Sequence, residues 1–220
     1  MLLAIDTSTD ASGVAFRDHH GIAAEVAWVS GRRHAEQVLP MIDHLLRNLD
    51  RAAADVEAVA VATGPGSWSG LRVGMSIAKA LAVSHNVPII GMPALDVLAY
   101  GLRRFDGMIV PMVRLGRDRY GAAVYRTAPV WERTTPFQNL ALDDLPGLVD
   151  GGLFCGDVDD AARQLLETRL GSSALFAEGS DNVRRPAVLA DLAWRRWQKN
   201  DVDDLVTLEP LYLGNPVQRR

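Results

Sequence analysis

Three short apolar runs precede any helical periodicity in this chain: Leu2–Ile5, Ser12–Arg17 and Ile22–Val29. Runs of that length, stopped by Asp6-Thr7-Ser8-Thr9 and by Asp18-His19-His20-Gly21, read as strands. The period then lengthens. Val38, Ile42, Leu45 and Leu49 recur at helical spacing between Arg33 and Leu49, with Pro40 expected to bend the helix. Val56–Ala62 reads as a strand, Leu71–Ser84 as a helix and Val87–Gly91 as a strand. Pro93–Arg104 reads as a helix with proline in its first turn.

Three strands followed by alternating helices and strands is the ribonuclease-H-like order. Met108–Leu115, Tyr120–Arg126 and Val130–Thr135 repeat the strands more weakly. Leu142–Val149 follows as a weak helix broken by Pro146-Gly147, then strands at Leu153–Cys155 and Ala174–Ala177 and helices at Val158–Leu170 and Pro186–Lys199. The expected fold is therefore α/β: a two-lobed, duplicated ribonuclease-H-like fold of the actin, Hsp70 and sugar-kinase type, with mixed sheets flanked by helices. Residues 1–104 would form lobe one and residues 105–220 a shorter lobe two, unless the last helix crosses back onto lobe one.

Composition limits function. With 48% hydrophobic residues, the 220-residue chain can build a core. No window approaches the roughly 18 apolar residues of a membrane span, and Met1–Asp6 lacks the basic start of a secretory signal. The lone Cys155 cannot form an internal disulfide, which suits a cytoplasmic location. A net charge of −4 argues against a protein that grips nucleic acid by itself. Arginine pairs at 32–33, 103–104, 184–185, 195–196 and 219–220 read as solvated surface.

Few residues offer chemistry. Asp6 ends the first strand, where two-lobed phosphotransferases place an acid for a metal–nucleotide complex. It is the one weak cofactor-binding candidate, and the competing reading is a turn capped by Asp6, Thr7 and Ser8. Gly64-Pro65-Gly66-Ser67-Trp68-Ser69-Gly70-Leu71-Arg72-Val73-Gly74 places four glycines in eleven residues between a strand and a helix. Such a loop can cradle an anion, or it can simply allow tight turning and close helix-on-sheet packing. It lacks the Lys-Ser/Thr pair of a P-loop. Ser67 or Ser69 as a nucleophile would need a base that no spacing reveals. The histidines at 19, 20, 34, 44 and 85 do not form a metal-ligand pattern, so neither a metal nor a catalytic residue is expected.

The second helix carries two apolar lines, Val73-Ile77-Leu81 and Leu71-Met75-Ala78-Ala82. A surface helix needs only one. Another part of the chain or a partner protein must cover the second.

Several stretches resemble the TsaB (YeaZ) family: Leu3–Thr9, His34-Ala35-Glu36 leading to Leu39-Pro40-Met41-Ile42, the glycine-rich stretch with Ala78–Ala82, Pro88–Gly91, and Glu209–Leu213. The family usually has Phe-Thr where Trp68-Ser69 stand. It also has Asp-Ala-Arg where this chain reads Arg114-Leu115-Gly116, glutamate at Arg119 and arginine at Gly214. The resemblance implies a non-catalytic scaffold for a TsaD-like transferase. With a TsaE-like ATPase, that complex places a threonylcarbamoyl group on the tRNA adenosine next to the anticodon. No cofactor, no membrane and only complex-mediated tRNA contact are expected. The alternative is an active ATP-dependent phosphotransferase of the acetate- or sugar-kinase type. The resemblance also implies docking through the two lobe-one helices, and Met41, His44, Met75 and Lys79 are placed near the centre of that face. Flexible methionines would let one face serve a homodimer and the transferase alike.

Overall fold

β1 (Leu2–Asp6) is buried at every residue because it lies in the middle of a sheet. It pairs antiparallel with β2 (Ala11–Asp18) and parallel with β4 (Ala58–Gly64). β3 (Gly21–Val29) and β5 (Ile89–Pro93) complete the order β3-β2-β1-β4-β5. The computed structural model describes residues 1–116 and 118–213, so Gly214 and Arg219-Arg220 lie outside the described residues.

The alternation along β1 divides two cores. Leu3 and Ile5 face α1 (His34–Asn48) and α2 (Trp68–His85), meeting Val38, Ile42 and Leu46 of one and Met75, Ala78 and Ala82 of the other. Leu2 and Ala4 face Leu189, Ala190 and Ala193 of α5 (Pro186–Trp197). Met1–Val97 with Arg184–Leu211 therefore form one compact unit. The boundary of this unit, between Val97 and Leu98, falls within α3 (Ala94–Gly101).

The segment after α5 seals the outer edge of β5. Asp203 N donates to Ile89 O at 3.0 Å, and Gly91 N donates to Asp203 Oδ2 at 2.7 Å. Arg196 reaches Gly91 O at 2.9 Å while gripping Asp201 with two nitrogens, each at 2.8 Å. Leu205 and Leu208 pack against the first core.

The second unit, Leu98–Val183, is built on β6 (Met108–Gly116), β7 (Arg119–Ala122), β8 (Tyr125–Arg126) and β9 (Glu132–Arg133). β10 (Gln138–Ala141), β11 (Gly152–Gly156) and β12 (Ala174–Phe176) complete its sheet, in the order β10-β7-β6-β11-β12. α4 (Asp160–Leu170) contributes Ala162 and Leu166 to its core. Three details differ from the sequence reading. Tyr120–Arg126 is two strands, since β7 pairs with β10 while β8 pairs with β9. Leu142–Leu148 is a 3-10 turn around Pro146 rather than an α-helix, because proline has no N–H to donate. β10 is half-buried and mixed in polarity, so it has no period to detect.

Candidate functional site

The C-terminal end of β1 and the glycine-rich loop form one closed structure. Asp6 Oδ1 accepts hydrogen bonds from Ser8 N at 2.8 Å and Ser8 Oγ at 2.6 Å, so this carboxylate caps its own turn. Ser67 N donates to Ser8 O at 2.7 Å, and Thr7 Oγ1 donates to Gly70 O at 2.7 Å. A Cβ on Gly66 would stand 2.0 Å from Ser8 O, one on Gly70 2.1 Å from Thr7 O, and one on Gly74 2.3 Å from Thr7 Oγ1. Those are backbone or short side-chain contacts that cannot swing aside, so these three glycines let the chain touch itself. Ser67 Oγ accepts from Gly70 N at 3.3 Å as the N-cap of α2 and lies 3.5 Å from Ser69 Oγ. Arg184 Nη1 donates to Ser8 Oγ at 3.1 Å. Asp6 and Ser67 stand out in the sequence, whereas Arg184 reads there as solvated surface; folding instead brings it to this turn across 176 positions.

The structure also contains a buried serine–histidine cluster that no spacing revealed. Ser12 Oγ lies 2.8 Å and Ser30 Oγ 2.9 Å from His34 Nδ1, and the two hydroxyls are 2.9 Å apart. Ser30 Oγ donates to Asp10 O at 3.1 Å, which leaves the Ser12 hydroxyl to donate to Nδ1 of a neutral ring. Ser12 is 1% exposed and His34 4%, so the cluster fastens the start of α1 to β2 and offers no substrate access. Burial lowers the His34 pKa below its ordinary value, opposed in part by the charges of Asp10 and Asp6. The unfolded chain thus binds a proton near pH 6.5 that the folded chain refuses. Stability should hold above that pH and decline as pH falls from about 6.5 towards the lower folded value. Thermal melts between pH 7.5 and pH 5 should show this decline in the wild type, with a shallower slope in His34→Asn.

The helix faces are not as periodicity suggested. Met75 is 5% exposed and sits in the core with Leu3, Ile5 and Val61, not on a docking face. The sheet-facing line of α2 is Leu71-Met75-Ala78-Ala82. With Gly74, its two alanines let the helix lie close on β1 and β4, leaving the bulkier Ile77 and Leu81 half-buried at the margin. Lys79 is also half-buried, and its Nζ donates to Val206 O at 3.3 Å, so it braces the segment that seals β5. Met41 is half-buried on the flank of α1, whereas His44 is exposed and bonds Asn48 at 3.0 Å. The outer surface of the pair therefore carries His44 and Leu39 on α1, and Arg72, Ser76, Ala80 and Val83 on α2. Trp68 stands exposed at the start of α2 with the Arg72 guanidinium 3.4 Å from its ring centroid.

In the second unit, the residues that depart from the family form are tied locally. Arg114 Nη1 donates to Asp159 Oδ2 at 2.7 Å, and Arg119 holds Asn139 Oδ1 and O at 2.7 Å each. Tyr120 donates to the same Asp159 oxygen at 2.8 Å; burial first, then that bond, pushes its pKa up to about 12. Asp159 is in turn the N-cap of α4. Among the described residues, no group of three or more His, Cys, Asp or Glu is placed to hold a metal, and no helix is long and apolar enough to cross a membrane.

Comparison with known proteins adds the following. Residues 11–127 match the TsaD family, tRNA N6-adenosine threonylcarbamoyltransferase. The tRNA threonylcarbamoyladenosine biosynthesis protein TsaB of Bacillus subtilis is 32% identical over 218 residues, covering 96% of this chain and 93% of that protein. TsaB of Haemophilus influenzae is 40% identical over 128 residues, 57% of this chain and 54% of that one. Among solved structures, YeaZ from Pseudomonas aeruginosa superposes with a TM-score of 0.79 at 23% identity, covering 96% of this chain and 99% of that one. The ethanolamine utilization protein EutJ of Carboxydothermus hydrogenoformans matches with a TM-score of 0.51 at 12% identity over 85% of this chain and 88% of that one. The fold is of the actin, Hsp70 and sugar-kinase type.

Proposed function

Because the chain belongs to the TsaB family, we propose that it acts in tRNA threonylcarbamoyladenosine biosynthesis as a non-catalytic scaffold for a TsaD-like transferase. A TsaE-like ATPase completes the assembly, and tRNA is reached only through the complex. The closed turn at Asp6–Ser8 carries this reading. The glycines that in a phosphate loop would admit a ligand are here filled by Thr7 and Ser8, and the Asp6 carboxylate is engaged by Ser8. A chain whose loop is filled by its own backbone contributes a shape rather than a reacting group.

The transferase docks on the outer surface of α1 and α2. His44, Ser76, Ala80 and Val83 are exposed there, with Met41 at the flank. Small residues at 76 and 80 allow a partner helix to approach closely and bury a face of ordinary interface size. Reconstitution with a TsaD-like subunit, a TsaE-like ATPase, ATP, an activated threonylcarbamoyl donor and tRNA tests the role. The pure chain should neither hydrolyse ATP nor transfer the group, and the complete mixture should transfer only when the chain is present. Ala80→Glu changes an exposed residue, so the protein should fold while binding the transferase roughly 100-fold more weakly, since the new carboxylate is buried without a counter-ion. Turnover by the chain alone, abolished by Asp6→Ala, would instead make it a phosphotransferase.

A further inference from the structure

Two helices start at the same end of the first sheet. β4 runs parallel to β1, and β3 runs antiparallel to β2, which is itself antiparallel to β1. The chain therefore leaves β3 and β4 at the end where β1 stops, and α1 and α2 both begin there. Backbone bonds tie both starts to the turn after β1. Ser30 N and Gly31 N donate to Asp10 O at 3.0 and 2.8 Å, and Ser67 N donates to Ser8 O at 2.7 Å. Arg32, Arg33, Trp68 and Arg72 are all exposed on this rim.

Trp68 is 59% exposed, so the core gains little from it. The Arg72 guanidinium lies over its indole, 3.4 Å from the ring centroid. The pair forms a flat, cationic stacking surface. Charge points the same way. Three arginines stand beside two exposed carboxylates, Asp10 and Glu36. Each helix start adds roughly half a positive charge, and α1 begins without a side-chain cap. The rim continues into the outer surface of α2, because Arg72, Ser76 and Ala80 follow one another at four-residue spacing and all are exposed.

We propose that this rim is a direct contact for the tRNA held by the transferase, with an unpaired base stacked on the Trp68–Arg72 pair and flanking phosphates drawn to Arg32 and Arg33. The proposal rests on the scaffold role and adds to it a place where the scaffold itself touches the substrate. A paired indole and guanidinium suit a nucleic-acid base, since every base has a π face. An acidic peptide would use the arginines and leave the indole idle. The net charge of −4 keeps the free chain from attracting a polyanion over distance. The rim therefore acts at short range, once the transferase on the adjoining helix surface has brought the tRNA to it.

Anisotropy of labelled tRNA, titrated with the preassembled pair of this chain and the TsaD-like subunit, tests this. Trp68→Ala should weaken tRNA binding by the pair roughly tenfold, and Trp68→Phe should retain most of it. A double variant, Arg32→Ala with Arg33→Ala, should weaken binding at low salt and reduce the dependence of log Kd on log salt by about one. All three proteins should bind the TsaD-like subunit at wild-type strength and keep the circular dichroism of the parent. Unchanged tRNA affinity in Trp68→Ala, in a mixture whose wild-type form modifies tRNA, would overturn the contact and leave the scaffold role standing. Loss of the protein pair in step with loss of tRNA would also overturn it, and would give the indole to a protein interface. A wild-type pair that does not assemble would remove the scaffold role and the rim together.

Discussion

Gly70→Ala should destabilise the first unit by about 3 kcal/mol or more, at the upper end of overpacking costs. The added carbon would lie 2.1 Å from the Thr7 carbonyl oxygen, and neither atom belongs to a side chain that can rotate away. Relief requires moving the start of α2 off the β1 turn, which also loses the bond from Thr7 Oγ1 to Gly70 O. For a chain of this length, the melting temperature should fall by roughly 6–12 °C. Ser69→Ala, one residue away and exposed, should leave it nearly unchanged. Thermal melts of the two variants separate packing from chemistry. If Gly70→Ala melted like the wild type yet failed in tRNA modification, the glycine would be reserved for a ligand and the scaffold reading would lose its main support.

Met75→Glu should prevent folding rather than detach a partner. The side chain is buried in the apolar core that holds Leu3, Ile5, Val61 and Ala78. A carboxylate there must be buried unpaired or protonated, at a cost of about 3–5 kcal/mol, a large share of the stability of any domain. Met75→Leu conserves volume and should cost less than about 1.5 kcal/mol. Circular dichroism should therefore show an unfolded or aggregated Glu variant and a native Leu variant, while Ala80→Glu stays folded. A folded, monomeric Met75→Glu protein would return Met75 to the surface and restore the helix-face assignment that the structure reverses.

The order of periodicities was enough for the sequence of strands and helices in residues 1–104, whereas the place of α5 was left open between the two lobes. A run as short as Leu2–Ile5, stopped by turn residues, reads as a strand buried on both sides, and the strand–helix alternation from β4 onwards reads as parallel crossovers. The resemblance of Gly64–Gly74 and Leu3–Thr9 to one family was equally legible, because both stretches are local and unbroken. What one-dimensional reading could not decide was which of two apolar lines on α2 faces the sheet. Both have helical spacing, and the choice rests on how near the helix can come, which Gly74, Ala78 and Ala82 determine only once Thr7 and Val61 stand opposite them. The same holds for Ser12, Ser30 and His34, whose contact joins β2, the turn after β3 and the start of α1. It holds again for Arg184 at Ser8, and for the segment beyond α5 that closes the β5 edge of the sheet. Periodicity reports which side of an element is apolar. The surface that meets that side, and the partner each polar group finds, depend on distances that exist only after distant parts of the chain have packed.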